Sequence, residues 1–141
     1  MIKRVSNETV VIPCSGIGKP FGSVSREAAY EVVDALRPNR AHLVALSRLV
    51  LGDDEARDAV ASRPVVTIDG CKLACAAKMA KASGAREVRE LAVIDTFRRH
   101  PKLKPEGIAE LNEAGQQLAR VLAEEIAAIV DEHAGREATD A

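Results

Sequence analysis

An α/β fold built on a mainly parallel sheet of about four strands, with helices on both faces in a Rossmann-like three-layer arrangement, follows from three observations on this 141-residue chain. Strand-like segments at Thr9–Ile12, Ala41–Leu46, Val65–Ile68 and Val88–Ile94, the last by alternation with Leu91 and Val93 on one face, are interspersed with helical patterns, the order a parallel sheet with crossover helices requires. Apolar residues make up 47% of the chain and aromatics only 2%, so the core must be made of Ala, Val, Leu and Ile. A long amphipathic stripe, Ile108, Leu111, Leu118, Leu122, Ile126 and Ile129, comes last, and a stripe that apolar has to be covered.

Thr9–Ile12 reads as the first strand, ending at Pro13-Cys14. The glycine-rich stretch Ser15-Gly16-Ile17-Gly18-Lys19-Pro20-Phe21-Gly22 leads to a helix that Ser23 or Ser25 could cap. Ala28, Ala29, Val32, Val33 and Leu36 give that helix its apolar face, and Pro38 closes it. Ala41–Leu46 suits a second strand, although the spacing of Leu43, Leu46, Leu49 and Val50 also fits a helix. Asp53 opens a short polar helix to about Ala61. Val65–Ile68 is the third strand, Lys72–Ser83 the next helix, and Gly84 its stop. Val88–Ile94 is the fourth strand, followed by a basic loop and the long helix from Ile108, which could bend at Gly115. Residues 1–134 read as one domain and 135–141 as a flexible tail.

The bulk numbers narrow the function. A net charge of −1 gives no bulk attraction to nucleic acid or a membrane, and no stretch approaches the roughly 18 apolar residues of a span. The amino terminus lacks the apolar region of a secretory signal. Three cysteines, an odd number, suit a reducing compartment better than a disulfide framework, so a cytoplasmic protein is expected.

The chemistry concentrates at Asp69-Gly70-Cys71 and Cys75. Ligand sites of parallel sheets lie beyond the carboxyl ends of their strands. Cys14 follows the first strand and Cys71 the third. If those strands are neighbours, about 4.8 Å apart, the two thiols share one edge. Cys75 follows Cys71 by four positions, which on a helix is one face, about 5–6 Å away. Asp69 and Asp95 fall on the same rim and could serve as a fourth ligand or as an acceptor behind the ligands. Each cysteine alone reads equally as a small buried apolar residue. The Cys-x-x-x-Cys spacing is not that of thioredoxin-like sites or zinc knuckles.

Val10-Val11-Ile12-Pro13-Cys14-Ser15-Gly16, with Gly18-Lys19 and the run from Gly22 to Glu31, resembles the opening of the DGC family of proposed zinc-binding proteins. Val65-Val66-Thr67-Ile68-Asp69-Gly70-Cys71, with Leu73, Cys75 and Lys78, resembles its namesake motif. The resemblance implies four chelating cysteines, three of them at Cys14, Cys71 and Cys75, with Ala45 standing where the fourth belongs. His42 falls at the wrong end of its strand to substitute, and His100 and His133 are poorer still by position. Three thiolates and one open position suit zinc, and an iron–sulfur cluster is the alternative cofactor. The metal set expected is therefore Cys14, Cys71, Cys75 and Asp69. A protein partner receiving metal or sulfur follows from the open position.

A thiol enzyme or carrier, with Cys71 as nucleophile and Cys75 or Cys14 resolving, is the rival reading. An inert scaffold is the third. Gly16-Ile17-Gly18-Lys19 matches neither a P-loop nor a dinucleotide fingerprint. Lys19, Ser23 and Ser25 could nonetheless form an anion cradle. Arg98 to Lys104 is a basic patch that reads first as a solvated loop.

Overall fold

The computed structural model describes residues 8–14, 19–70, 73–107 and 109–140, the last five as backbone alone. Its four strands are β1 (Thr9–Pro13), β2 (Ala41–Leu43), β3 (Val65–Asp69) and β4 (Val88–Ala92). All pair in parallel, in the order β2-β1-β3-β4. The expected α/β sheet is the observed one. The chain moves from β1 outward to β2, then crosses to the other side of β1 for β3. The direction of winding therefore reverses between β1 and β3, and a crevice opens beyond the carboxyl ends of strands at such a point.

Helices α1 (Pro20–Glu31), α5 (Val93–Arg99) and α6 (Glu113–Asp140) share one side of the sheet. Val11, Val66 and Ile68 on the strands meet Val24 and Ala28 of α1 and Leu118, Leu122 and Ile126 of α6 there. Helices α2 (Leu46–Val50), α3 (Asp54–Ser62) and α4 (Cys75–Ala82) cover the other side, against Val10, Ile12 and Val65. Alternate residues of β1 and β3 thus feed opposite layers, and both faces of these central strands are buried, while the edge strands β2 and β4 stay partly exposed. No described helix is long and apolar enough to cross a membrane.

Several element bounds differ from the sequence expectation, each for a local reason. Helix α1 starts at Pro20, whose fixed φ suits a first helical position, so Ser23 and Ser25 lie inside the helix rather than capping it. The same helix widens into a π-helical turn over Val32–Leu36. The Ala41–Leu46 run divides into a three-residue strand and α2, so both periodicities read there were present in succession. The Lys72–Ser83 helix is shorter: Ala74 takes a left-handed φ of 52° and α4 begins only at Cys75. Val88–Ile94 turns helical at Val93, and the supposed basic loop begins as α5. The last helix starts at Glu113, not Ile108, which lies outside the described residues. Asn112 Oδ1 accepts the Gly115 N–H at 2.8 Å, so Gly115 belongs to the capped first turn rather than to a bend.

Asp53 caps α3, accepting from Ala56 N–H at 3.0 Å and from Arg48 at 2.7 Å. The Ala56 amide first, and then the guanidinium, hold its carboxyl below the ordinary value. One buried hydroxyl, Thr67 Oγ1 in the middle of β3, has no hydrogen-bond partner among the described residues. Leaving such a group dry costs about 1–3 kcal/mol. Thr67→Val, which keeps the shape, is expected to raise stability by about 1 kcal/mol, read as a higher urea midpoint at unchanged slope. A lower midpoint would mean the hydroxyl is bonded in solution.

Candidate functional site at the β1–β3 crevice

β1 ends at Pro13, and the next amide, Cys14 N–H, donates to Ile68 O at 2.8 Å. The register pairs Pro13 with Ile68, so Cys14 faces Asp69 across the two strand ends. Cys14 is buried, 6% exposed. Gly70 N–H donates to Cys14 Sγ at 3.1 Å, and Ser25 Oγ lies 3.4 Å away. Ser25 directs its own hydroxyl proton to Gly22 O at 2.6 Å, which leaves its oxygen free to accept at the Cys14 side. Three segments, the end of β1, the start of α1 and the turn after β3, are tied together at this one sulfur.

The Asp69-Gly70-Cys71 tripeptide divides its labour. Asp69 is 3% exposed, and its two carboxylate oxygens accept from Ala76 N–H at 2.8 Å and Ala77 N–H at 3.3 Å. It caps α4 from outside the helix, where Ala74 offers no side chain to do so. Gly70 lies so close to α1 that an added Cβ would meet Gly22 N and Phe21 C, both at 3.0 Å. Those are backbone atoms and cannot rotate away. Gly70→Ala is therefore expected to cost about 1–3 kcal/mol, measured by urea unfolding. Wild-type stability in that variant would show that the start of α1 is free to yield.

Cys71 itself lies outside the described residues. Cys75 is exposed at the first position of α4. Because α4 opens at Cys75, the helical i,i+4 relation expected between the two cysteines does not apply. Among the described residues no group of three or more His, Cys, Asp or Glu side chains is arranged to hold a metal ion. Ala45 is exposed, just beyond β2 at the cap of α2. Val44 N–H donates to Val11 O at 3.1 Å, so Ala45 falls beside the end of β1. The carboxyl edge thus runs Ala45, Cys14, Asp69-Gly70 across three neighbouring strands.

The other candidates disperse. His42 pairs with Val10 in the middle of β2 and is exposed. His133 is buried, with Nδ1 2.9 Å from Thr9 Oγ1 at the opposite end of β1. His100 closes α5. Asp95 is exposed in the first turn of α5, 3.9 Å from Arg98. Ser25 of the expected anion cradle is turned inward to Cys14 and Gly22, and Ser15, Gly16, Ile17 and Gly18 lie outside the described residues.

Sequence reading missed what stands over Cys14. A cavity of about 380 Å³ is lined there by Cys14, Gly70, Lys19, Phe21, Phe97 and Lys104, among others. The rings of Phe21 and Phe97 lie 5.7 Å apart, tilted by 50°. One signal was available: they are the only two phenylalanines in the chain.

A three-layer α/β sheet with a cysteine-bearing crevice at its switch point defines the class of this protein. Within that class the chain belongs to the DGC domain family, whose family model matches residues 10–132, from β1 into α6. No curated protein and no solved structure matches it.

Proposed function

We propose that this protein binds one zinc ion at the carboxyl edge of its sheet through the thiolates of Cys14, Cys71 and Cys75, and hands it on. The observation that carries this reading is the pairing of β1 with β3. It sets Cys14 against Asp69, two residues before Cys71, and leads on to α4, whose first residue is Cys75. Soft thiolates suit zinc over hard cations such as magnesium. Asp69, engaged by the Ala76 and Ala77 amides, serves behind the ligands by holding the start of α4, a role whose loss typically weakens metal sites about 10–100-fold. Zinc is the cargo here. An edge with alanine at residue 45 leaves one coordination position for water or for a donor from a receiving protein. The free thiols of Cys14 and Cys75 suit a reducing compartment, the cytoplasm.

The test is metal analysis of untagged protein purified without oxygen. About one zinc per chain is expected, and Cys14→Ser, Cys71→Ser and Cys75→Ser should each lose most of it, since a hydroxyl is a harder and poorer donor. Binding should weaken as pH falls, because each thiol must give up its proton to bind. Metal-free wild type, with a peroxide-driven Cys71–Cys75 disulfide, would instead favour thiol exchange with Cys71 as nucleophile. An iron–sulfur cluster in place of zinc would announce itself by colour and by iron and sulfide content.

A further inference from the structure

We infer that the cavity over Cys14 is a binding site for a small organic acid, an apolar body carrying a single carboxylate, an inference argued from the cavity itself and not from the zinc reading. Its position is the first ground. The cavity touches Cys14 at the end of β1 and Gly70 at the end of β3, the strands between which the winding of the sheet reverses. Ligands of open parallel sheets bind at that crevice. Its volume of about 380 Å³ falls within the range of small-molecule sites.

The walls specify the body of the ligand. Phe21 and Phe97 are only partly buried, although the chain has no other phenylalanine and no tryptophan. A chain so poor in aromatic residues places both rings at one opening and leaves them partly wet. An apolar ligand would complete their burial, at about 25 cal/mol for each Å² removed from water. Phe21 also closes on Gly70, whose missing side chain lets α1 approach, so this wall is fixed in place.

The rim specifies the charge. Lys19 and Lys104 are exposed at the cavity, and neither has a carboxylate within ion-pair distance among the described residues. No acidic residue lines the cavity among the described residues, although the chain as a whole carries −1. The α1 terminus beside it has neither a side-chain cap nor an acidic residue in its first turn, and the helix dipole there adds the same positive sign. A single charge fits better than a phosphate dianion, because the apolar walls would have to strip a dianion of more hydration.

The test uses 4-phenylbutyrate and its neutral amide, which share one body and differ in charge, titrated into the full-length protein as purified. Amide NMR shifts locate the binding, and calorimetry gives the affinity. The acid is expected to bind with a Kd below about 1 mM and to move the signals of Gly22, Gly70 and Phe97. The neutral amide should bind about tenfold or more weakly. The Lys19→Met/Lys104→Met double variant, changed only at exposed side chains, should bring the acid to the level of the amide and leave the amide unchanged. Equal binding of acid and amide, an unaltered affinity in the double variant, shifts confined to the surroundings of His133 at the opposite end of β1, or no binding of the acid at millimolar concentration would each overturn the inference. Metal content is measured on the same samples, so failure of the zinc reading registers separately.

Discussion

Leu122→Asp is expected to leave the chain unfolded, and Leu122→Ala to leave it folded but weakened by about 2–5 kcal/mol. Leu122 is fully buried, in the middle of the stripe that α6 lays on the sheet side built by Val11, Val66 and Ile68. Removing the side chain forfeits its burial and leaves a cavity. A carboxylate adds the cost of a charge with no partner in a layer of Val, Leu, Ile and Ala. A domain of this size holds only about 5–15 kcal/mol in reserve, and the two penalties together consume it. Circular dichroism and urea titration of both variants read this directly. A folded Leu122→Asp protein whose mass drops in light scattering would instead mean that the stripe joins two copies.

The central strands were legible because they are buried on both faces and so write themselves as unbroken apolar runs, whereas the edge strands β2 and β4 leave His42, Arg89 and Glu90 exposed. β1 and β3 were read to within one residue, since Val10-Val11-Ile12 and Val65-Val66-Thr67-Ile68 admit little else. At the β4–α5 junction no glycine or proline marks the change. β4 passes into α5 at Val93 with ordinary backbone angles at Ala92, so the junction has no signal, and a seven-residue helix is too short to show periodicity against its basic residues. The late start of α4 depends on a left-handed alanine, a conformation that propensity argues against. Only tertiary contacts explain it: Asp69 anchors the helix start from the end of β3.

For the site, the positions of chemistry were legible and their division of roles was not. The adjacency of Cys14 and the Asp-Gly turn followed from strand alternation and is realised by the Gly70–Cys14 hydrogen bond. Asp69 looked like a metal donor because a carboxylate beside two thiols usually is one, yet a carboxylate can equally cap a helix, and here it caps α4. The cavity could not be read, because Phe97 and Lys104 reach it from α5 and the segment behind it, far from Phe21 in sequence.

Ala45→Cys should tighten zinc binding by about tenfold or more, the equivalent of about 1.4 kcal/mol. Ala45 is exposed beyond β2, beside the strand end that delivers Cys14, so the substitution adds a thiol on the surface and disturbs no core residue. A fourth thiolate closes the tetrahedron that three leave open, and it should do so at the expense of release. Metal transfer to a competing chelator should therefore slow as equilibrium affinity rises, a pairing that a merely stabilising mutation would not produce. Cobalt substitution gives a second readout, since the sulfur-to-cobalt absorption grows with each thiolate bound. Unchanged affinity together with an unchanged cobalt spectrum would mean that the open position is elsewhere or already filled. With Asp69 tied to α4 and Asp95 beside Arg98 on α5, a reading built on three thiolates and one vacancy at residue 45 would then fail.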